Sequence, residues 1–119
     1  MNIIENELTL MCDVDDTLVM WGQPISDKTV EITCPYTGKI EHLVPHETLI
    51  QILKQQKGRG YHVTVWSAGG WEWAKTVVIA LKLEKYVDEI RTKPVKYFDD
   101  LQAAEVLGTR VYLPYKETK

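Results

Sequence analysis

The chain predicts an α/β fold built on a parallel sheet, and three features carry that expectation. An apolar run, Leu8 to Cys12, ends abruptly in three carboxylates, Asp13, Asp15 and Asp16. A β-patterned insertion follows, with turn residues at its middle. Beyond Pro45, helix-like and strand-like segments alternate, which argues for a parallel sheet with right-handed crossovers. At 119 residues the chain reads as a single domain, 1–119, able to bury a core.

Residues 8–13 form the first expected strand, apolar enough to be central and covered on both faces. Val30 to Thr33 alternates, Cys34-Pro35-Tyr36-Thr37-Gly38 interrupts, and Lys39 to Val44 resumes. Pro35 and Gly38 are turn chemistry, so residues 28–44 predict a β-hairpin flap after the first strand. Pro45 opens a helix to about Lys57, with Leu49, Ile50, Ile52 and Leu53 as its apolar face and Gly58 and Gly60 beyond it. Tyr61 to Trp66 is the second strand of the sheet. It ends in Ser67-Ala68-Gly69-Gly70, and a helix runs from Trp71 to about Leu83. Tyr86 to Ile90 predicts a short strand, and Arg91 to Pro94 a connection. Val95 to Phe98 predicts a further strand ending in Asp99-Asp100, Leu101 to Leu107 a short helix, and Val111 to Leu113 a last strand before a polar tail.

Composition narrows the function classes. Hydrophobic residues are 45% and charged residues 26%, the balance of an ordinary globular protein. A net charge of −3 supplies no global field to gather nucleic acid. Cys12 and Cys34 lack metal-ligand spacing and read as free thiols in a reducing, cytoplasmic setting. The stretch from Met1 to Glu7 has no basic-then-apolar leader pattern, and no apolar run approaches membrane-spanning length.

The acids carry the chemistry. On an extended chain Asp13 and Asp15 point to one side and Val14 to the other. Like charges this close are costly without a cation or a proton among them, and the carboxyl end of a parallel strand is where ligands bind in open α/β sheets. One carboxylate can attack while the other moves a proton. Ser67 offers a hydroxyl, and the small residues after it leave backbone N–H groups open to an anion. Lys93 stands in a loop before another acidic strand end, and Lys75 on the second helix competes with it. Carboxylates from two strands suit Mg²⁺, and a hydroxyl with a lysine can neutralise phosphoryl oxygens.

These residues resemble the haloacid dehalogenase superfamily of phosphohydrolases. Asp13-Val14-Asp15-Asp16-Thr17-Leu18 is similar to its first motif, Asp-x-Asp-x-Thr-Leu/Val. Ser67 after an apolar run resembles the second, Lys93 before Pro94 the third, and Asp99-Asp100 the fourth. The resemblance spans residues 13–100. It implies a Rossmann-like parallel sheet with helices on both faces, and an Mg²⁺-dependent phosphatase working through an aspartyl-phosphate. Asp13 would be the nucleophile and Asp15 the general acid and base. Thr17 would steady the loop and the orientation of Asp15. Ser67 and Lys93, with the backbone at Ala68 and Gly69, would grip the phosphoryl group. Asp13, Asp15, Asp99 and Asp100 would form the metal site, the Asp15 contribution including its backbone carbonyl.

About 50 residues separate the first two motifs, leaving no room for a separate cap domain. Capless members resemble enzymes acting on large substrates, a nucleic-acid end or a phosphoprotein. A cap supplied by another subunit would instead make the protein an oligomer open to small substrates. The competing expectations are a receiver-like module that is phosphorylated without turnover, and a catalytically silent phosphate- or metal-binding module. Ser67 stands where a receiver's middle strand would carry its phosphoacceptor aspartate.

Four tryptophans complete the reading. Trp66 is expected to pack. Trp21 and Trp71 are open between packing and stacking on a base or sugar. Trp71 and Trp73 cannot share one helical face, so at most one of them belongs to the core. His42, His46 and His62 have no metal-ligand spacing and read as incidental.

Overall fold

A computed structural model describes residues 7–115. Residues 1–6, most of the stretch read for a leader, and residues 116–119 of the polar tail lie outside the described residues.

Among the described residues, two three-stranded sheets and three helices make up an α/β fold. Strands β1 (Thr9–Asp13), β5 (His62–Ser67) and β6 (Glu89–Thr92) form the parallel sheet in the order β1-β5-β6. Strands β2 (Val19–Met20), β3 (Val30–Thr33) and β4 (Ile40–Pro45) form an antiparallel sheet in the order β2-β4-β3. The expected hairpin is therefore present as β3 and β4, and β2 ties it to the loop after β1. In the parallel sheet Asp13 lies opposite Trp66, and Ser67 opposite Thr92. The carboxyl ends of all three strands thus share one edge.

Helix α1 (Glu47–Gly58) starts two residues later than the sequence suggests. Pro45 is the last residue of β4, because a strand end tolerates a missing donor as well as a helix start does. His46 caps the helix instead, its Nδ1 accepting the Leu49 N–H at 3.3 Å. The ring's Nε2 lies 3.0 Å from the Leu113 carbonyl, an acceptor, so the tautomer carries its proton there. Glu47 in the first turn and Lys57 in the last both oppose the helix dipole favourably. Arg59 turns its N–H back to Gln55 and Gln56, and Gly60 at φ +94° completes the exit.

Helix α2 (Trp71–Ala80) stops short of Leu83 and packs on β5, β6 and β3. Its start has no capping side chain of its own. Thr92 Oγ1, from the end of β6, accepts the Trp71 N–H at 2.9 Å. A 3-10 turn at Glu84–Tyr86 leads into β6, so Tyr86 is not strand while Arg91 and Thr92 are.

The core is formed by the sheets together with α1 and α2. Val14, Leu18, Val63, Val65, Val77 and Val78 are essentially inaccessible. Burying a side chain such as Leu18 contributes about 1.5–3 kcal/mol. Asp88 adds a polar tie. Its carboxylate accepts the Lys57 ammonium at 2.6 and 2.8 Å and the Val63 N–H at 2.8 Å, joining α1 to β5.

The last third of the described chain corrects the sequence reading. Val95 to Phe98 and Val111 to Leu113 form no strands, so the parallel sheet has three strands rather than five. The helix expected over 101–107 is the single turn α3 (Ala103–Val106). A β-pattern records that a run fits a pleated surface, but a run with no edge to pair stays extended. Val95 and Phe98 are fully exposed. This excursion helps raise the radius of gyration to 15.4 Å, against about 13.5 Å for a globular chain of this length.

Candidate active site

The loop after β1 turns on one acceptor. The Val14 carbonyl takes the N–H groups of Thr17, Leu18 and Val19 at 3.3, 2.9 and 3.2 Å. Asp16 adopts φ +59° at the bend, a conformation Asp tolerates better than most residues. Val14 and Leu18 are drawn into the core. By strand alternation, Asp13 and Asp15 are left facing the sheet's carboxyl edge together, as the sequence predicts.

Each carboxylate has its own partners. Asp13 Oδ1 pairs with the Lys93 ammonium at 3.0 Å, and its Oδ2 accepts the Thr17 hydroxyl at 3.2 Å. Asp15 Oδ2 accepts the Ser67 hydroxyl at 3.3 Å, a long bond. Asp15 Oδ1 accepts two indole N–H groups, from Trp21 at 2.9 Å and from Trp73 at 3.0 Å. Thr17 therefore steadies Asp13, whereas the sequence reading assigned it to orienting Asp15. That orientation comes from two tryptophans and a serine.

Lys93 reaches the site because its backbone N–H extends the ladder beyond β6, bonding the Ser67 carbonyl at 2.9 Å. Of the two competing lysines, the structure brings this one to Asp13. Lys75 is exposed on α2, beside the groove between that helix and β6.

Ser67 is fully buried. Its Oγ accepts the Gly69 N–H at 3.0 Å, and the Gly70 N–H bonds the Ser67 carbonyl at 3.2 Å. The loop expected to offer free amides to an anion thus satisfies two of them internally, with Ala68 and Gly69 exposed. The hairpin closes onto this same loop. A Cβ at Gly70 would run into the Tyr36 hydroxyl, with the ring's Cζ at 3.3 Å. Gly70 also sits at φ +106°, ψ 156°, a region essentially reserved for glycine.

Asp99 and Asp100 do not join the site. They lie in the exposed excursion, where Asp99 Oδ1 accepts the Leu101 N–H at 2.9 Å. Without the strand at 95–98, nothing delivers them to the edge where Asp13 stands. Among the described residues, no three His, Cys, Asp or Glu side chains gather as a metal-holding group. The four-acid metal site is therefore not assembled here, although Asp13 and Asp15 are neighbours.

Sequence reasoning weighed Trp21 and Trp73 for packing or stacking and missed that both donate to Asp15. Trp73 is 5% exposed and Trp21 39%, with ring centroids 6.1 Å apart. The signal available was that a buried indole must place its N–H somewhere. Trp71 is half-exposed at the start of α2. His46, read as incidental, caps α1.

Cys12 and Cys34 are free thiols. Burial, with Asp13 beside it, pushes the Cys12 thiol up to about 12. At the hairpin turn, hydrogen bonds from the Thr37 side chain and from the Tyr36 and Thr37 backbone lower that of Cys34. Among the described residues, no helix is long and apolar enough to cross a membrane.

The fold and site define an α/β protein with an acid pair, a lysine and a hydroxyl at the carboxyl edge of a parallel sheet. Compared with protein-family models, curated proteins and solved structures, the chain matches none of them.

Proposed function

We propose that the chain is a haloacid-dehalogenase-like phosphatase with a Rossmann-like core, hydrolysing a phosphomonoester through Asp13. One observation carries the reading. Two carboxylates from one strand end meet Lys93 and Ser67 from two other strand ends, each acid with its own partner.

Asp13 attacks phosphorus as the bond to the leaving oxygen breaks. Asp15 gives that oxygen a proton, releasing an alcohol and leaving an aspartyl-phosphate. Asp15 then takes a proton from water, which attacks phosphorus and frees Asp13 and inorganic phosphate. Lys93 and Ser67 neutralise the phosphoryl oxygens as charge develops. Both side chains stand against the acids that the phosphoryl group must separate.

Mg²⁺ is part of the proposal because of the donor set. It is commonly held by one or two carboxylates with retained water and substrate phosphate, which the Asp13 carboxylate, with the Asp15 backbone carbonyl beside it, fits and which Asp99 and Asp100 do not join. Bound there, it would supply positive charge to the phosphoryl oxygens. The hairpin, with Tyr36 at the Ser67–Gly70 loop, serves as a flap. Between the acidic loop and β5 the described residues form only β2, the hairpin and α1, with no separate cap domain there, which favours a macromolecular phosphomonoester, a nucleic-acid end or a phosphoprotein. A receiver-like module is disfavoured because the middle strand β5 ends in Ser67 rather than an aspartate.

The test is phosphate release from an aryl phosphate, with Mg²⁺ and with chelator, for wild type and Asp13→Asn. Metal-dependent turnover that disappears in Asp13→Asn is the expected result. Stoichiometric phosphorylation without turnover would replace the phosphatase with the receiver-like reading. Full activity in Asp13→Asn would remove Asp13 from the mechanism.

A further inference from the structure

We infer that Trp21 and Trp73 are positioning residues that fix which oxygen of Asp15 handles the proton. The inference rests on the phosphatase reading of the site. A carboxylate oxygen has two lone-pair directions in its plane. On Asp15 Oδ1 both are taken, by the Trp21 indole N–H at 2.9 Å and the Trp73 indole N–H at 3.0 Å. Among the described residues Oδ2 takes only the Ser67 hydroxyl, at 3.3 Å. One lone pair is therefore left on the oxygen beside Ser67, where the phosphoryl group is to be gripped.

Each indole is itself held. Trp73 is buried on α2 within the core. Trp21 has its backbone N–H on Asp16 Oδ1 at 3.1 Å, so two adjacent acids of the same loop fix both ends of the residue. Phenylalanine at either position keeps the bulk and removes the donor. Oδ1 then regains a lone pair, the carboxylate can rotate about its Cβ–Cγ bond, and the proton is no longer aimed at the leaving oxygen.

The consequence depends on how much protonation the leaving group needs. In the first step the P–O bond breaks, the Asp13–phosphorus bond forms, and the proton on Oδ2 passes to the departing oxygen. A nitrophenolate leaves readily without that proton, and an alkoxyphenolate does not. Single-turnover phosphorylation is measured across substituted phenyl phosphates for wild type, Trp21→Phe and Trp73→Phe. For both variants we expect a loss of about tenfold with the poorest leaving group and less than about twofold with nitrophenyl phosphate, the order of one acid–base contribution being at least a hundredfold.

An equal loss along the whole series, or none, would overturn the positioning role, since a merely structural defect has no reason to follow the leaving group. Wild type inactive on every member of the series would bring down the phosphatase reading, and this inference with it. The clamp itself is checked without turnover, by the indole N–H proton resonances in wild type and Asp15→Ala. Two of the four should move on loss of Asp15 while those of Trp66 and Trp71 stay. No movement at Trp21 and Trp73 would refute the clamp while leaving the phosphatase reading standing.

Discussion

Gly70→Ala tests the contact between the hairpin and the Ser67–Gly70 loop. The substitution acts twice. It forces a side chain into φ +106°, ψ 156°, a strain of about 1–3 kcal/mol. It also places a methyl against the Tyr36 phenol, which must leave its rotamer at a cost of about 0.5–1.5 kcal/mol. Together these amount to a destabilisation of roughly 2–4 kcal/mol, or about 8–16 °C in Tm at some 4 °C per kcal/mol for a domain of this size. Urea denaturation at constant m value reads the loss directly. The two causes separate in a double-mutant cycle. In a Tyr36→Ala background the backbone strain remains and the collision is gone, so the cost of Gly70→Ala should fall by about 1 kcal/mol. A cost that is the same in both backgrounds would refute the closure of the hairpin tip on Gly70. A cost near zero in wild type would refute the backbone conformation as well.

Asp88→Asn should destabilise the fold near neutral pH and lose its effect in acid. The Lys57 hydrogen bond, followed by the Val63 N–H, holds the Asp88 carboxyl below its ordinary 3.8. A lowered folded value means the contribution is complete above about 3.8 and is lost as pH falls through the folded value, so denaturation curves of the two proteins should converge there. Thiol labelling of the native protein should modify Cys34 alone, with Cys12 reacting only on unfolding, because the thiolate is the nucleophile; equal rates would contradict the burial of Cys12. His46→Ala should cost about 1 kcal/mol through the lost helix cap. It should also speed protease cleavage around residues 108–115, since the Leu113 carbonyl loses its partner on the ring; an unchanged digestion pattern would argue that His46 does not anchor that segment.

Much of the site could be anticipated because it rests on local rules. Alternation put Asp13 and Asp15 on one side and Val14 on the other, and Val14 is buried in the core. Pro35 and Gly38 marked the hairpin turn, and Ser67 fell at a strand end as expected, whereas Lys93 was expected before a strand at 95–98 that does not form and reaches the edge from the end of β6 instead. What escaped the sequence was tertiary. The β-pattern of Val95–Phe98 could not reveal that no edge receives it, so Asp99 and Asp100 were expected at a site they do not reach. Helical spacing allowed one core tryptophan between Trp71 and Trp73 but could not show that the buried one aims its N–H at Asp15. Nor could any local rule connect Trp21 to the same oxygen. Pro45 was ambiguous because a strand end and a first helical turn both accept a residue without an N–H.

The bonds around Asp15 join residues 52 and 58 positions apart along the chain. Bringing such distant segments together is the slow, entropically expensive part of assembling a parallel sheet. The Asp15 carboxylate therefore completes its surroundings only when β1, β5 and α2 have all docked. A partly assembled chain already holding the acidic loop would keep only the local contacts of Thr17 and Trp21, with neither Lys93, Ser67 nor Trp73 beside the acids. The full set of bonds at Asp15 thus arrives late in folding, and the two indoles, reporting by fluorescence from beside the acid, should change in step with it.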